Sequence, residues 1–379
     1  MIGTTLTRVA LAIITSLASA SPALSDVTVI LRGGAEPVKG LGAVAALRGL
    51  EVQQGTSKAA VTLPWDIVRD VEGATIPSLE SELAIGQDLW RGRIRVERGD
   101  EALAEPLFTK HWDRYRLQDG PTTAVIAEGL LRCALAKNDL RAAVEPWFVC
   151  LRIGSNGEPS RYSDLPAVLD DSTGLLPEIS PFLPSAMRPD LAGALRDAAK
   201  SLSAAQAGVA GESAARLARI LAATERDATP TPAVDPGRDA APAVRVLGLI
   251  ESIVSAPDAR AAAKAVAEFE RIFPEAPAYL SAWKFAAAGT HAARVARATV
   301  GDTRSRALEA AALAFLAVPA SGLDKSGLVD AYALEEAVSL LKESGDNVSA
   351  AQVATILDEK VRDARLRANA SPERTRGNS

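Results

Sequence analysis

The sequence predicts a mostly α chain, a helical-hairpin repeat array preceded by a small β-barrel-like domain, and three observations carry that prediction. First, Ala102-Leu-Ala-Glu105-Pro106-Leu-Phe108 and Ala142-Ala-Val-Glu145-Pro146-Trp-Phe148 are near copies 40 residues apart, each following a Gly-Asp or Asn-Asp pair. A period of roughly 35 to 45 residues, built from apolar helical stripes and a tight turn, marks a repeat array. Second, aromatic residues make up only 4% of a 379-residue chain that is 48% hydrophobic and 23% charged. That composition suits close helix–helix packing better than a large β-sandwich. Third, the apolar period changes from two to helical near Ser78.

Residues 1–25 read as a signal peptide. Arg8 is the only charge before Asp26, and the apolar run Val9 to Leu17 is too short to span about 30 Å of hydrocarbon. Two small-residue cleavage sites follow, ending at Ala20 and Ser25. No later stretch is long and apolar enough for a membrane span. The expected destination is therefore the periplasm or the exterior, as a protein soluble after cleavage. Without Arg8 the mature chain carries 41 basic against 47 acidic residues, a net charge of −6. That balance argues against nucleic acid as a partner, because such binding is driven by neutralising phosphates.

Residues 26–75 form the β-module. Val27-Thr-Val-Ile30-Leu alternates, Gly33-Gly34 supplies a turn, and apolar pieces recur at Leu50 to Val52, Val61 to Leu63 and Ile67 to Val71. Gly40-Leu-Gly42-Ala-Val-Ala45 loosely fits a dinucleotide fingerprint, but Glu36-Pro37 interrupts the strand that such a site requires. A sharply curved strand explains the glycines better. The order of strands and turns resembles a small Sm-like or SH3-like barrel. Joined at Gly73-Ala-Thr-Ile-Pro77, the module is expected to be separable from the helices.

Helical repeats occupy 78–226. Leu79 to Arg98 and Glu101 to Arg116 pair around Gly99-Asp100, and a second pair runs from Pro121 to Leu151 with its turn at Asn138-Asp139. On the last helix Leu140, Ala143, Val144, Trp147, Phe148 and Leu151 make one apolar stripe. Leu103, Leu107, His111 and Tyr115 make another, with His111 half-buried. Pro106 and Pro146 fall one and a half turns into their helices. Either both helices bend there, or both begin later, or the first turns simply tolerate proline.

These two pairs resemble tetratricopeptide repeats. Gly92, the Gly99-Asp100 turn, Ala104 and Phe108 stand where that family places its small residue, turn, packing alanine and aromatic. The second pair departs from it, with Leu131 in place of the first small residue and a spacing of 40 rather than 34. The resemblance implies a concave face lined by the first helix of each pair. Arg93 and Arg132 each stand six residues before their turn, at equivalent exposed places on that implied face. Paired guanidinium groups there could hold a carboxylate of a peptide partner; two solvated arginines are the plain alternative.

Two interruptions break the pattern. Residues 153–188 carry five scattered prolines and read as a long ordered loop, while 227–242 is proline-rich and reads as a flexible linker. Further helical hairpins follow over 243–370, then a polar tail, 371–379, expected to be disordered. His111 and His291 are the only histidines and stand far from both cysteines, so neither a metal nor a cofactor is expected. Cys133 lies 5 residues before Asn138 and Cys150 lies 12 after it, so antiparallel helices hold them about 10 Å apart along the axis. A disulfide needs Cα atoms within about 7 Å, and both thiols are expected to stay free. The sequence thus predicts an exported scaffold for a protein or peptide partner in the cell envelope, not an enzyme. The alternative is an envelope enzyme or accessory subunit with its site in the 153–188 loop.

Overall fold

Alternating β-branched residues place Val27 and Val29 on one buried face of strand β1, Val27–Leu31. The computed structural model describes residues 26–55, 60–205, 208–226, 228–229 and 231–370; the expected signal peptide and tail lie outside them. Strand β1 pairs antiparallel with β2, Val38–Gly40, and with the last strand of the module, β6, Val68–Glu72. A second antiparallel sheet holds β3, Gly42–Ala46, β4, Gly49–Gln53, and β5, Ala60–Leu63. The expected curved strand is thus two strands, and the chain turns from one sheet into the other at Gly40-Leu41-Gly42. Glycine is required there, because a Cβ on Gly40 would stand 2.7 Å from the Gln53 carbonyl oxygen. Both sheets bury one core of Val29, Leu50, Val52, Val68 and Trp65, and the indole donates to Ala46 O at 2.9 Å.

The helical region begins with α1, Leu79–Glu97, and α2, Glu101–Tyr115, followed by α3, Pro121–Ala136, and α4, Leu140–Ser155. The two hairpin turns share one construction. Gly99 and Asn138 take left-handed φ values of 77° and 54°. The amides that follow them close the same backbone bonds, Asp100 N to Arg95 O at 2.8 Å and Asp139 N to Ala134 O at 2.9 Å. Asp139 then accepts from Ala142 N at 3.0 Å and starts α4. Both helices run on through Pro106 and Pro146, so neither begins late.

Phe108 of α2 lies between Gly92 of α1 and Gly129 of α3, where added Cβ atoms would stand 2.7 and 2.5 Å from its ring. Gly129 thus packs on the aromatic of the preceding hairpin, while Leu131 keeps the place equivalent to Gly92. The buried face of α2 is Ala104, Phe108, His111 and Tyr115; Leu103, expected on that stripe, is 57% exposed. His111 accordingly sits buried with Nε2 3.1 Å from Asp88.

Beyond α4 the helices are α5, Arg188–Ala205; α6, Val209–Ala223; α7, Pro242–Val254; and α8, Ala259–Ile272. The series ends with α9, Ala278–Ala298; α10, Arg304–Ser321; α11, Leu328–Ser344; and α12, Asn347–Ala370. Each packs chiefly on helices one or two places away along the chain. The turn construction returns at Gly345, where Asp346 N bonds Leu341 O and its side chain accepts from Ser349 N at 3.0 Å. The glycine–phenylalanine fit also returns, with Phe315 of α10 against Gly289 of α9.

Two stretches expected as separate carry contacts to the helices. The stretch expected as a linker is held down: buried Arg216 donates to Val234 O at 3.0 Å, and Pro236 packs on Gly248. One hydrophobic core continues from Leu131 to Val353 across it. The β-module is not a free unit either. The Trp65 amide donates to Thr122 Oγ1 at 3.1 Å, that hydroxyl donates to Arg48 O at 2.9 Å, and Gly86 of α1 lies against the Trp65 carbonyl. These contacts join the module to α3 by hydrogen bonds and to α1 by close packing, rather than through a tether alone.

Candidate functional site

Arg93 and Arg132 project toward the side on which the β-module and the long loop lie, as their equal spacing from the turns requires. Neither is exposed as expected: they are 18% and 10% accessible. Arg93 is paired with Asp66 at 2.8 Å and with Glu97 at 2.5 Å. Asp66 is wholly buried on the 3-10 turn Trp65–Ile67, and burial pushes its carboxyl above the usual range, only partly offset by Arg93. Arg132 binds Glu128 at 2.7 Å, donates to Pro166 O at 3.0 Å and lies 5.2 Å from the centre of the Tyr162 ring. The carboxylate each arginine was expected to take from a partner is supplied by the chain itself. One comes from the β-module and the other from one turn back on α3.

The open space lies next to this filled face. After α4 the chain runs without helix or strand from 156 to 187, yet it is well anchored. Tyr162 is buried with its hydroxyl donating to Val125 O at 2.9 Å, and Ser160 Oγ donates to Glu128 at 2.7 Å. Leu175, Leu176, Ile179, Phe182 and Leu183 are fully buried in the main core. Between them Asp170 Oδ1 gathers the amides and hydroxyls of Ser172 and Thr173, four bonds of 2.5 to 3.1 Å. This rigid segment walls a cavity of about 430 Å³ against the end of α4 and the starts of α6 and α7. Ala124, Ile153, Val168 and Val209 line its apolar part, and Glu158, Asp170 and Asp171 stand among its polar walls. The volume falls in the range of about 300–1,000 Å³ typical of ligand sites.

Cys150 also lines the cavity, and Cys133 lies buried in the core of the first hairpin with its thiol 3.5 Å from Glu101 O. Both cysteines are free. Burial raises both thiols, that of Cys133 to about 12, so each stays protonated and unreactive at neutral pH. Among the described residues no group of His, Cys, Asp and Glu is arranged as a metal site, and no helix is long and apolar enough to cross a membrane. Sequence reasoning placed a possible site in the 153–188 loop but did not find the cavity residues on α6 and α7. They reach it through packing that no local pattern encodes.

Comparison with known protein families, with characterised proteins and with solved structures finds no match to this chain.

Proposed function

We propose that this chain is an exported, tetratricopeptide-like helical scaffold of the cell envelope. In this reading it binds a segment of a protein partner in the cavity between the α3–α4 hairpin and the loop 158–174. The small β-barrel-like module serves to fix the first hairpin. The observation that carries the reading is the cavity itself, a preformed, largely apolar recess, beside arginines of α1 and α3 already paired within the chain. Preformed recesses bind with little ordering cost. A photoreactive residue in place of exposed Ser172 should give one dominant protein adduct in an envelope extract, and Ala167→Trp, which fills the mouth, should abolish it. An equal yield from a probe at exposed Thr355 on α12 would sink the reading. Export predicts a mature protein beginning at Ser21 or Asp26, checked by intact mass.

The second reading, an envelope enzyme or accessory subunit, uses the same cavity, because titratable groups do stand in its walls. The scaffold reading is preferred because Glu128 is committed to Arg132 and Ser160, one oxygen of Asp170 to its own loop, and Cys150 to its protonated form. Chemistry by the purified protein that disappears in Glu158→Gln would reverse that preference.

A further inference from the structure

The cavity carries information about what fills it. Among the described residues its walls include four carboxylates, Glu128, Glu158, Asp170 and Asp171, and not one Lys or Arg. Glu128 is neutralised by Arg132. The other three take part in no ion pair among the described residues. Arg48, whose field reaches Glu158, is bound to Glu51 at 2.6 Å. The loop's bonds to the Asp170 carboxylate end on Oδ1, and Oδ2 takes none of them. The starts of α6 and α7 oppose this charge with about half a positive charge each, which three full carboxylates outweigh. The recess therefore couples an apolar lining to an uncompensated negative wall.

Resting on the function proposed above, we infer that the bound segment is cationic and amphipathic, an apolar side chain seated in the recess with a Lys or Arg within two residues of it. The apolar group removes water from Ile153, Val168 and Val209. The ammonium or guanidinium meets Glu158, Asp170 and Asp171. Acidic and purely polar segments are rejected, because they would bring like charge or unpaired polar groups to this wall. The carboxylates are partly solvated, so their contribution appears as selectivity and salt dependence more than as raw affinity.

The test is a phage-displayed library of random twelve-residue peptides selected on the whole protein, with the leading sequence resynthesised and its affinity measured by fluorescence anisotropy. Recovered sequences should carry Leu, Ile, Met or Phe within two residues of Lys or Arg. Glu158→Gln with Asp171→Asn, both solvent-accessible positions, should weaken binding about tenfold without changing the circular dichroism spectrum, and Ala167→Trp should abolish it. Peptides without a basic residue, or with affinity unchanged in the double variant yet blocked by Ala167→Trp, would overturn the cationic inference and leave the site standing. Binding that ignores Ala167→Trp, or no recovered peptide at all, would overturn the site as well.

Discussion

The two N-terminal hairpins share a turn, a packing aromatic and an arginine six residues before the turn, but they satisfy that arginine differently. In α1–α2, Arg93 reaches 27 residues back to Asp66 on the β-module; in α3–α4, Arg132 reaches four residues back to Glu128 on its own helix. The repeated features are those that fix helix and turn. The groups packed on the two arginines come from segments outside the hairpins, the turn at Trp65 in one case and the loop at Tyr162 in the other. A repeat pattern therefore specifies the walls of a groove without specifying whether the groove is open.

The largest effect expected is at the module's anchor. Trp65→Ala should cost about 3–5 kcal/mol, as large aromatic truncations in cores do. It should also speed hydrogen exchange in α1, which packs on that turn, while leaving α9 to α12 protected. Equal loss of protection at both ends would mean that the two regions unfold as one unit.

The arginines should separate next. Arg132→Ala leaves Glu128 poorly compensated in a nearly buried place and should cost about 3 kcal/mol in chemical denaturation. Arg93→Ala should cost less, about 1–2 kcal/mol, because Asp66 can take up a proton when its partner is lost. The reverse order would show that the ion pair to the module matters more than the loop contacts.

Asp66 also gives the comparison a pH signature. Its folded-state pKa is raised above the ordinary 3.8, so the native state holds the proton more tightly and the contribution of Asp66 to stability is present at acid pH. It is lost as pH rises from about 3.8 through the folded value. Melting curves of wild type and Asp66→Asn from pH 4 to pH 7 should diverge in the variant's favour. A constant difference across that range would contradict the burial argument.

The smallest effect belongs to the turns. Gly99→Ala should destabilise by about 1 kcal/mol, since alanine resists a left-handed φ, whereas Asn138→Gly should be neutral or stabilise by a few tenths. Equilibrium unfolding of both variants distinguishes the two turns directly.

Much of this molecule was legible in the sequence for one reason: helices and turns are local. The αL residue followed by Asp marked both hairpin turns within a residue, and the helices expected over 243–370 are present as α7 to α12. The stripe on α2 was misjudged because Leu103 and Leu107 look more buriable than Ala104. Ala104 is nevertheless fully buried, while Leu103 is 57% exposed. The candidate arginines were found at equivalent positions, but their partners were not, since nothing local ties Arg93 to Asp66 or Arg132 to Pro166. The proline-rich stretch looked like a linker because its anchor, Arg216, is a side chain on another element.

The bond between the Trp65 amide and Thr122 has a consequence for synthesis. The last strand of the module ends at Glu72, and the helix carrying Thr122 ends at Ala136, 64 residues later. At about 5–20 residues per second, a ribosome takes roughly 3–13 s to cover that distance. For the first 50 of those residues the nascent module lacks the Thr122 hydroxyl for one of its buried amides, and for the rest that hydroxyl is not yet held on a finished helix. Chains stalled with only Tyr115 outside the exit tunnel should be cut by protease within the module, and chains stalled beyond Ala136 should resist.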